Sequence, residues 1–175
     1  MNSVFIGGSR RISRMNPVLS HRLDNIMQNQ LSVLIGDANG FDRLAQAYFA
    51  QHMYREIVVY CTAGECRNNV GDWPKHVVEY KGRDRGLQFY TAKDDAMLRD
   101  GGYGFFAWDG QSKGTLRNIQ KMAEQGKPSV VYVSSRMNFI TVRNSQDAAA
   151  LLTPAKSGTA TPADLFSDTW RAEVG

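Results

Sequence analysis

Short apolar runs that end in glycine-bearing loops alternate with segments of helical period, and this alternation restricts the fold more than any other feature. Val4-Phe5-Ile6 opens on Gly7-Gly8, Leu31 to Ile35 ends at Gly36, and Ile57 to Cys61 is a third, β-branched run. Between them, Pro17 to Gln30 places Val18, Leu19, Leu23, Ile26 and Met27 at helical spacing, with Asn16 as N-cap and Pro17 at the first helical position. Phe41 to Met53 repeats Leu44, Ala45, Tyr48 and Phe49 on one face. The order β-α-β-α-β predicts an α/β, Rossmann-like, doubly wound and mainly parallel sheet of about five to seven strands with helices on both faces. Right-handed crossovers place the first two helices on the same face.

Downstream, Thr62 to Asp72 reads as a loop and His76 to Tyr80 as a short strand. Arg85 to Arg99 forms one or two helices, Tyr103 to Trp108 a strand, Lys113 to Gln125 a helix stopped by Gly126 and Pro128. Ser129 to Ser134 is a buried strand by its composition, and Phe139 to Val142 pairs at the sheet edge. The expected domain runs over 1–144, with 145–175 as an extension. Within it Asp147 to Leu152 forms a short helix, 153–162 a linker, and Ala163 to Trp170 a terminal helix that docks on this chain or on a second subunit.

At 175 residues, 42% hydrophobic and 22% charged, the chain fits one globular domain. No apolar stretch reaches the roughly 18–20 residues that span a bilayer, and the N-terminus lacks a basic leader, so the expected location is the cytoplasm, with no membrane partner. The net charge of +4 is spread along the chain, densest at Arg10, Arg11 and Arg14. Cys61 and Cys66 lack a second pair that completes a zinc site and are read as reduced thiols; His21, His52 and His76 stand alone. No metal and no resident cofactor are expected.

Three loops carry the chemistry. In an open parallel sheet the carboxyl ends of the strands share one rim, where ligands bind. Gly8-Ser9-Arg10 offers close backbone approach and a guanidinium for an anion. Gly36-Asp37-Ala38-Asn39-Gly40-Phe41-Asp42 puts two carboxylates beside a helix start; Asp37 suits ribose hydroxyls, and Asp42 a hydroxyl or a helix N-terminus. Trp108-Asp109-Gly110-Gln111-Ser112-Lys113-Gly114-Thr115 heads a helix with free N–H groups and hydroxyls, an anion cradle; Trp108 stacks on a base or fills the core. Neither the P-loop spacing nor a G-x-G-x-x-G fingerprint is present.

These loops in this order, with Lys93-Asp94-x-x-Met97 between them, resemble the SLOG (Smf/DprA–LOG) superfamily of Rossmann-like nucleotide-binding domains, over about residues 1–135. The resemblance implies a pocket for a nucleotide or nucleotide-derived ligand, and a homodimer or higher homo-oligomer. Phosphoribohydrolases of that group carry Gly-Gly-x-Gly-Thr-x-x-Glu; here Gly114-Thr115-Leu116-Arg117-Asn118 sets Asn118 at the Glu position, and Asn is neither a carboxylate base nor a nucleophile.

The leading expectation is a protein that binds or senses a nucleotide-like small molecule without turning it over. The alternative is an N-glycosidic (phosphoribo)hydrolase with the acid or base work moved to Asp37, Asp94, Asp95 or Asp109. A nucleic-acid-binding module is the third and less favoured reading.

Overall fold

The computed structural model describes residues 3–153. The elements are β1 (Ser3–Gly8), α1 (Pro17–Gln28), β2 (Ser32–Gly36), α2 (Phe41–Gln51), β3 (Ile57–Thr62), β4 (Lys75–Val78), α3 (Leu87–Asp100), β5 (Tyr103–Trp108), α4 (Lys113–Glu124), β6 (Ser129–Val133), β7 (Asn138–Val142) and α5 (Ser145–Ala150). They form one seven-stranded sheet in the order β4-β3-β2-β1-β5-β6-β7. Strands β1 to β6 are parallel, and β7 returns antiparallel to β6. The fold is the Rossmann-like α/β architecture that the alternation predicts.

Side chains alternate across each strand and feed two cores. Val4, Ile6, Val33 and Ile35 face α1 and α2, which bury Leu19, Leu23 and Ile26, and Phe41, Ala45 and Phe49. Phe5, Leu34, Phe106 and Val131 face the opposite layer, built from Met97 and Leu98 of α3 and Ile119 and Met122 of α4. Ala148 of α5 and Leu151 just after it are buried in the same core. A sheet covered on both faces explains why its strands read as unbroken apolar runs. Helix α1 starts where its signals place it: the Asn16 side chain accepts the Leu19 N–H at 2.8 Å, and Pro17 takes the first turn. It ends at Gln28, because Gln30 turns left-handed at φ 52° and starts the link to β2.

Two details differ from expectation. Strand β4 begins at Lys75 and stops at Val78, where its pairing with β3 ends. Cys61 and Cys66 are joined as a disulfide and are not free thiols. Left-handed turns at Ala63 (φ 42°) and Gly64 (φ 89°) fold the chain back after β3. This brings the two Cα atoms to 5.3 Å, inside the range a disulfide spans. The expected terminal helix over Ala163 to Trp170 lies outside the described residues.

From β1 the chain winds outward through β2, β3 and β4; from β5 it winds the other way through β6. The helices that follow β1 and β5 therefore lie on opposite faces of the sheet, and the carboxyl rim at this switch point carries a crevice.

Candidate functional site

The loops after β1 and β5 are clasped together. Ser9 is fully buried; its hydroxyl donates to Asp109 Oδ1 at 3.0 Å and accepts the Asp109 N–H at 3.1 Å. The same Oδ1 accepts the N–H groups of Ser112 (2.7 Å) and Gln111 (2.9 Å), wrapping the loop into a turn around Gly110, whose φ is +81°. Burial pushes the Asp109 carboxyl up, but the N–H donors and the Ser9 hydroxyl outweigh it and hold it below the usual carboxylate range. Gly8 has no room for a side chain: a Cβ would sit 2.6 Å from the Phe41 ring and 2.7 Å from the Ala107 carbonyl oxygen. Gly40, at φ +81°, lies against the Arg10 backbone and brings α2 up to the first loop.

At the head of α4 the Ser112 side chain caps the helix, accepting the Thr115 N–H at 3.4 Å, and its hydroxyl lies 3.0 Å from that of Thr115. Gly114 faces open space. Trp108 is buried under this loop and donates its indole N–H to the Ser112 carbonyl at 3.1 Å, so it packs in the core and does not reach the crevice.

The other side of the crevice is ionic. Asp37 is engaged by Arg67 through the backbone N–H (3.0 Å), Nε (3.2 Å) and Nη2 (2.8 Å). Burial pushes the Asp37 carboxyl up, the Arg67 bonds and the nearby Lys93 charge pull it down, and the net effect is a lowered pKa. Asn68 Nδ2 donates to the Asp37 carbonyl, and Gln46 bridges the Gly36 carbonyl to the Val70 N–H. Together these fasten the 62–72 loop to the end of β2.

Lys93, 6% exposed, pairs with Asp94 at 2.8 Å. Gly36 makes space for this charge, since a Cβ there would meet Asp42 Oδ2 at 2.5 Å and Lys93 Nζ at 2.8 Å. Burial depresses the Lys93 ammonium, but the Asp94 and Asp42 carboxylates more than offset this and raise it. Asp42, 5% exposed, is pushed up to about 7 by burial against the opposing pull of Lys93. Asp94 Oδ2 accepts from Asn118 Nδ2 at 3.1 Å. Asn118 lies one helical turn after Thr115, so it carries a carboxylate from α3 to the face of α4 just below the cradle.

These two sides enclose a cavity of about 610 Å³. Of the residues expected at the site, Gly8, Arg10, Asp42, Asp94, Asp109, Ser112, Gly114 and Thr115 line it. Ser9, Gly36, Asp37, Gly40 and Gly110 do not line it; Asp37 borders a smaller neighbouring cavity with Arg67 and Lys93. Asp95 lies on α3 with its carboxylate bonded to Arg117 at 2.5 Å. Arg67, Tyr90 and Thr91 line the cavity without having been singled out. Arg67 falls in an aperiodic loop, and Tyr90 reads as one more helical aromatic. The Arg10 and Arg67 guanidinium groups lie 5.7 and 5.6 Å from the Tyr90 ring centre, and Arg11 donates to Gln111 at 2.8 Å. Among the described residues no three His, Cys, Asp or Glu side chains cluster to hold a metal ion, and no helix is long and apolar enough to cross a membrane. The site offers cationic and N–H donors for an anion at one end and carboxylates for hydroxyl or amine groups at the other.

No family model matches the chain, and no curated protein matches it. Among solved structures it is similar to one described as giving insight into the unique single-stranded DNA binding mode of DNA processing protein A from Helicobacter pylori. The TM-score is 0.54 at 15% sequence identity, over 74% of this chain. The match spans 64% of that protein's chain. At this identity the likeness concerns the fold.

Proposed function

We propose that the crevice binds a phosphorylated nucleotide or a nucleotide-derived ligand and that the chain is a SLOG-type binding protein. The observation that carries this reading is the open head of α4. Gly114 leaves the helix N-terminus uncovered, the Ser112 and Thr115 hydroxyls flank it, and Arg10 and Arg11 border the same cavity. A phosphate gains there from the helix dipole, from the first-turn N–H groups of Lys113 and Gly114 beside the one that Ser112 caps, and from the guanidinium charge. The sugar then falls beside Asp94 and Asn118, whose oxygens accept from hydroxyls. About 610 Å³ is the size of a small-molecule site.

Calorimetric titration with AMP, ADP-ribose and inorganic phosphate tests it. Binding of a nucleotide that is lost in Gly114→Val, while the variant keeps its fold, supports the reading. Absence of heat with every nucleotide sinks it.

A second reading, single-stranded nucleic acid, draws on the fold likeness to DNA processing protein A and on the +4 charge. In that case the cradle takes a backbone phosphate, and affinity for an oligonucleotide falls steeply with salt. The fold likeness favours this reading over N-glycosidic hydrolysis, for which Asp42, Asp94 and Asp109 are the carboxylates that line the cavity; release of free base from nucleoside monophosphates is its test.

A further inference from the structure

The 62–66 segment between β3 and Arg67 is held by few bonds of its own. The Ala63 N–H donates to the Val78 carbonyl at 3.0 Å, and the exposed Glu65 side chain sits 3.8 Å from Lys75. The Thr62 hydroxyl is buried without a partner and borders a second, small cavity of about 70 Å³ that Glu65 and Arg67 also line. The firm link is the Cys61–Cys66 bond. It fixes Cys66, and the next residue is Arg67, whose own backbone N–H donates to Asp37 and whose guanidinium completes the pair. Arg67 borders both cavities, so the disulfide lies one peptide bond from the wall of the larger one.

We propose that Cys61–Cys66 is a thiol–disulfide exchange site for dithiol partners, and that its state sets the Arg67–Asp37 clamp at the crevice. Cys61 is fully buried and Cys66 half-buried, so the Cys66 sulfur is the point of attack. A dithiol's thiolate bonds to Cys66 Sγ, and the Cys61–Cys66 bond breaks. The electron pair leaves on Cys61 Sγ, which takes a proton. The partner's second thiol then displaces Cys66 as a thiol and closes the partner into its own disulfide. Two electrons pass from the dithiol to the protein. With the ring open, the left-handed turn at Ala63, strained for a residue with a Cβ, relaxes, and Arg67 loses its fixed origin.

The influence on ligand rests on the nucleotide reading; the clamp does not. The test compares the full chain after mild oxidation and after dithiothreitol. Iodoacetamide labelling with mass spectrometry counts the thiols, and hydrogen exchange follows the Arg67 amide. The expected result is no label and a slow Arg67 amide when oxidised, then two labels and exchange at least about tenfold faster when reduced. In Cys66→Ala, which keeps one thiol and takes one label, the Arg67 amide should exchange as in the reduced form under both conditions. Failure of the pair to oxidise, or identical exchange at Arg67 in both states, overturns the proposal. AMP affinity is measured on the same samples and should fall at least about threefold on reduction. Equal affinity in both states overturns the coupling to the crevice. If neither AMP nor ADP-ribose binds either state, the nucleotide reading is overturned and the exchange result stands.

Discussion

The two walls of the crevice are built on opposite plans. The β1–β5 wall is built on backbone geometry: buried Ser9 clasping Asp109 across 100 residues, a carboxylate wrapped by backbone N–H groups, Gly8 where no side chain fits, and Gly110 at a left-handed φ. The β2–α3 wall is built on paired charges, with Arg67 reaching Asp37 and Lys93 sitting among Asp42 and Asp94. A wall of backbone geometry holds its shape with little regard to salt, and to pH above the range where Asp109 takes a proton, whereas a wall of paired charges responds to both. The first suits a fixed anion cradle, the second an adjustable surround.

The most severe way to break the contrast is Gly8→Val. Its side chain collides with the Phe41 ring and the Ala107 carbonyl, neither of which can yield cheaply. We expect a loss of more than about 3 kcal/mol in urea unfolding, or no soluble protein. A loss under about 1 kcal/mol would show that the backbone wall is not rigid.

The pH profile separates the walls next. Asp42 titrates at about 7 in the folded chain, against 3.8 when unfolded. The folded state thus holds the proton more tightly between those values, and stability falls as the pH rises from about 4 to 7, by roughly 2–4 kcal/mol. Asp37 and Asp109 have lowered values and act in the opposite sense, so their contribution disappears only below about pH 4. Urea midpoints of wild type and Asp42→Asn across pH 4–8 measure the difference. An unchanged slope in the variant would remove Asp42 as the source.

Ser9→Ala deletes the clasp while leaving the charges alone. The Asp109 N–H loses its acceptor and the carboxylate loses a donor, for about 1–3 kcal/mol of stability, the same at low and high salt. A strongly salt-dependent loss would mean that the clasp borrows from the ionic wall. Gly114→Ala has the smallest expected effect. A methyl there meets nothing within 4 Å, so stability should change by less than about 0.5 kcal/mol while AMP affinity drops severalfold in calorimetry. Unaltered affinity would move the anion away from the head of α4.

The backbone wall was legible in the sequence because its devices, the Ser9–Asp109 clasp excepted, are local. Asn16-Pro17, Gly7-Gly8 and the run from Trp108 to Thr115 each act within a few residues, and their spacing fixes turn, cap and strand together. The ionic wall was legible only in part. Lys93-Asp94 stood out as a motif with Asp94 as a candidate acid or base and no partner for Lys93, and Asp37 read as ligand-facing because nothing in one dimension brings Arg67 to it. The Cys61–Cys66 bond needed the two left-handed turns at Ala63 and Gly64, and only Gly64 hints at one. Trp108 had two readings, and its burial decided for the core.

The switch point between β1 and β5 has a mechanical consequence. Asp42 belongs to the helix layer on one face of the sheet, and Asp94 and Thr115 to the layer on the other, yet all three border one cavity. A molecule seated there would act as a keystone between the two layers, so that neither could peel from the sheet without releasing it. Occupancy would then make unfolding more cooperative, narrowing the gap between the weakest and the strongest parts of the domain.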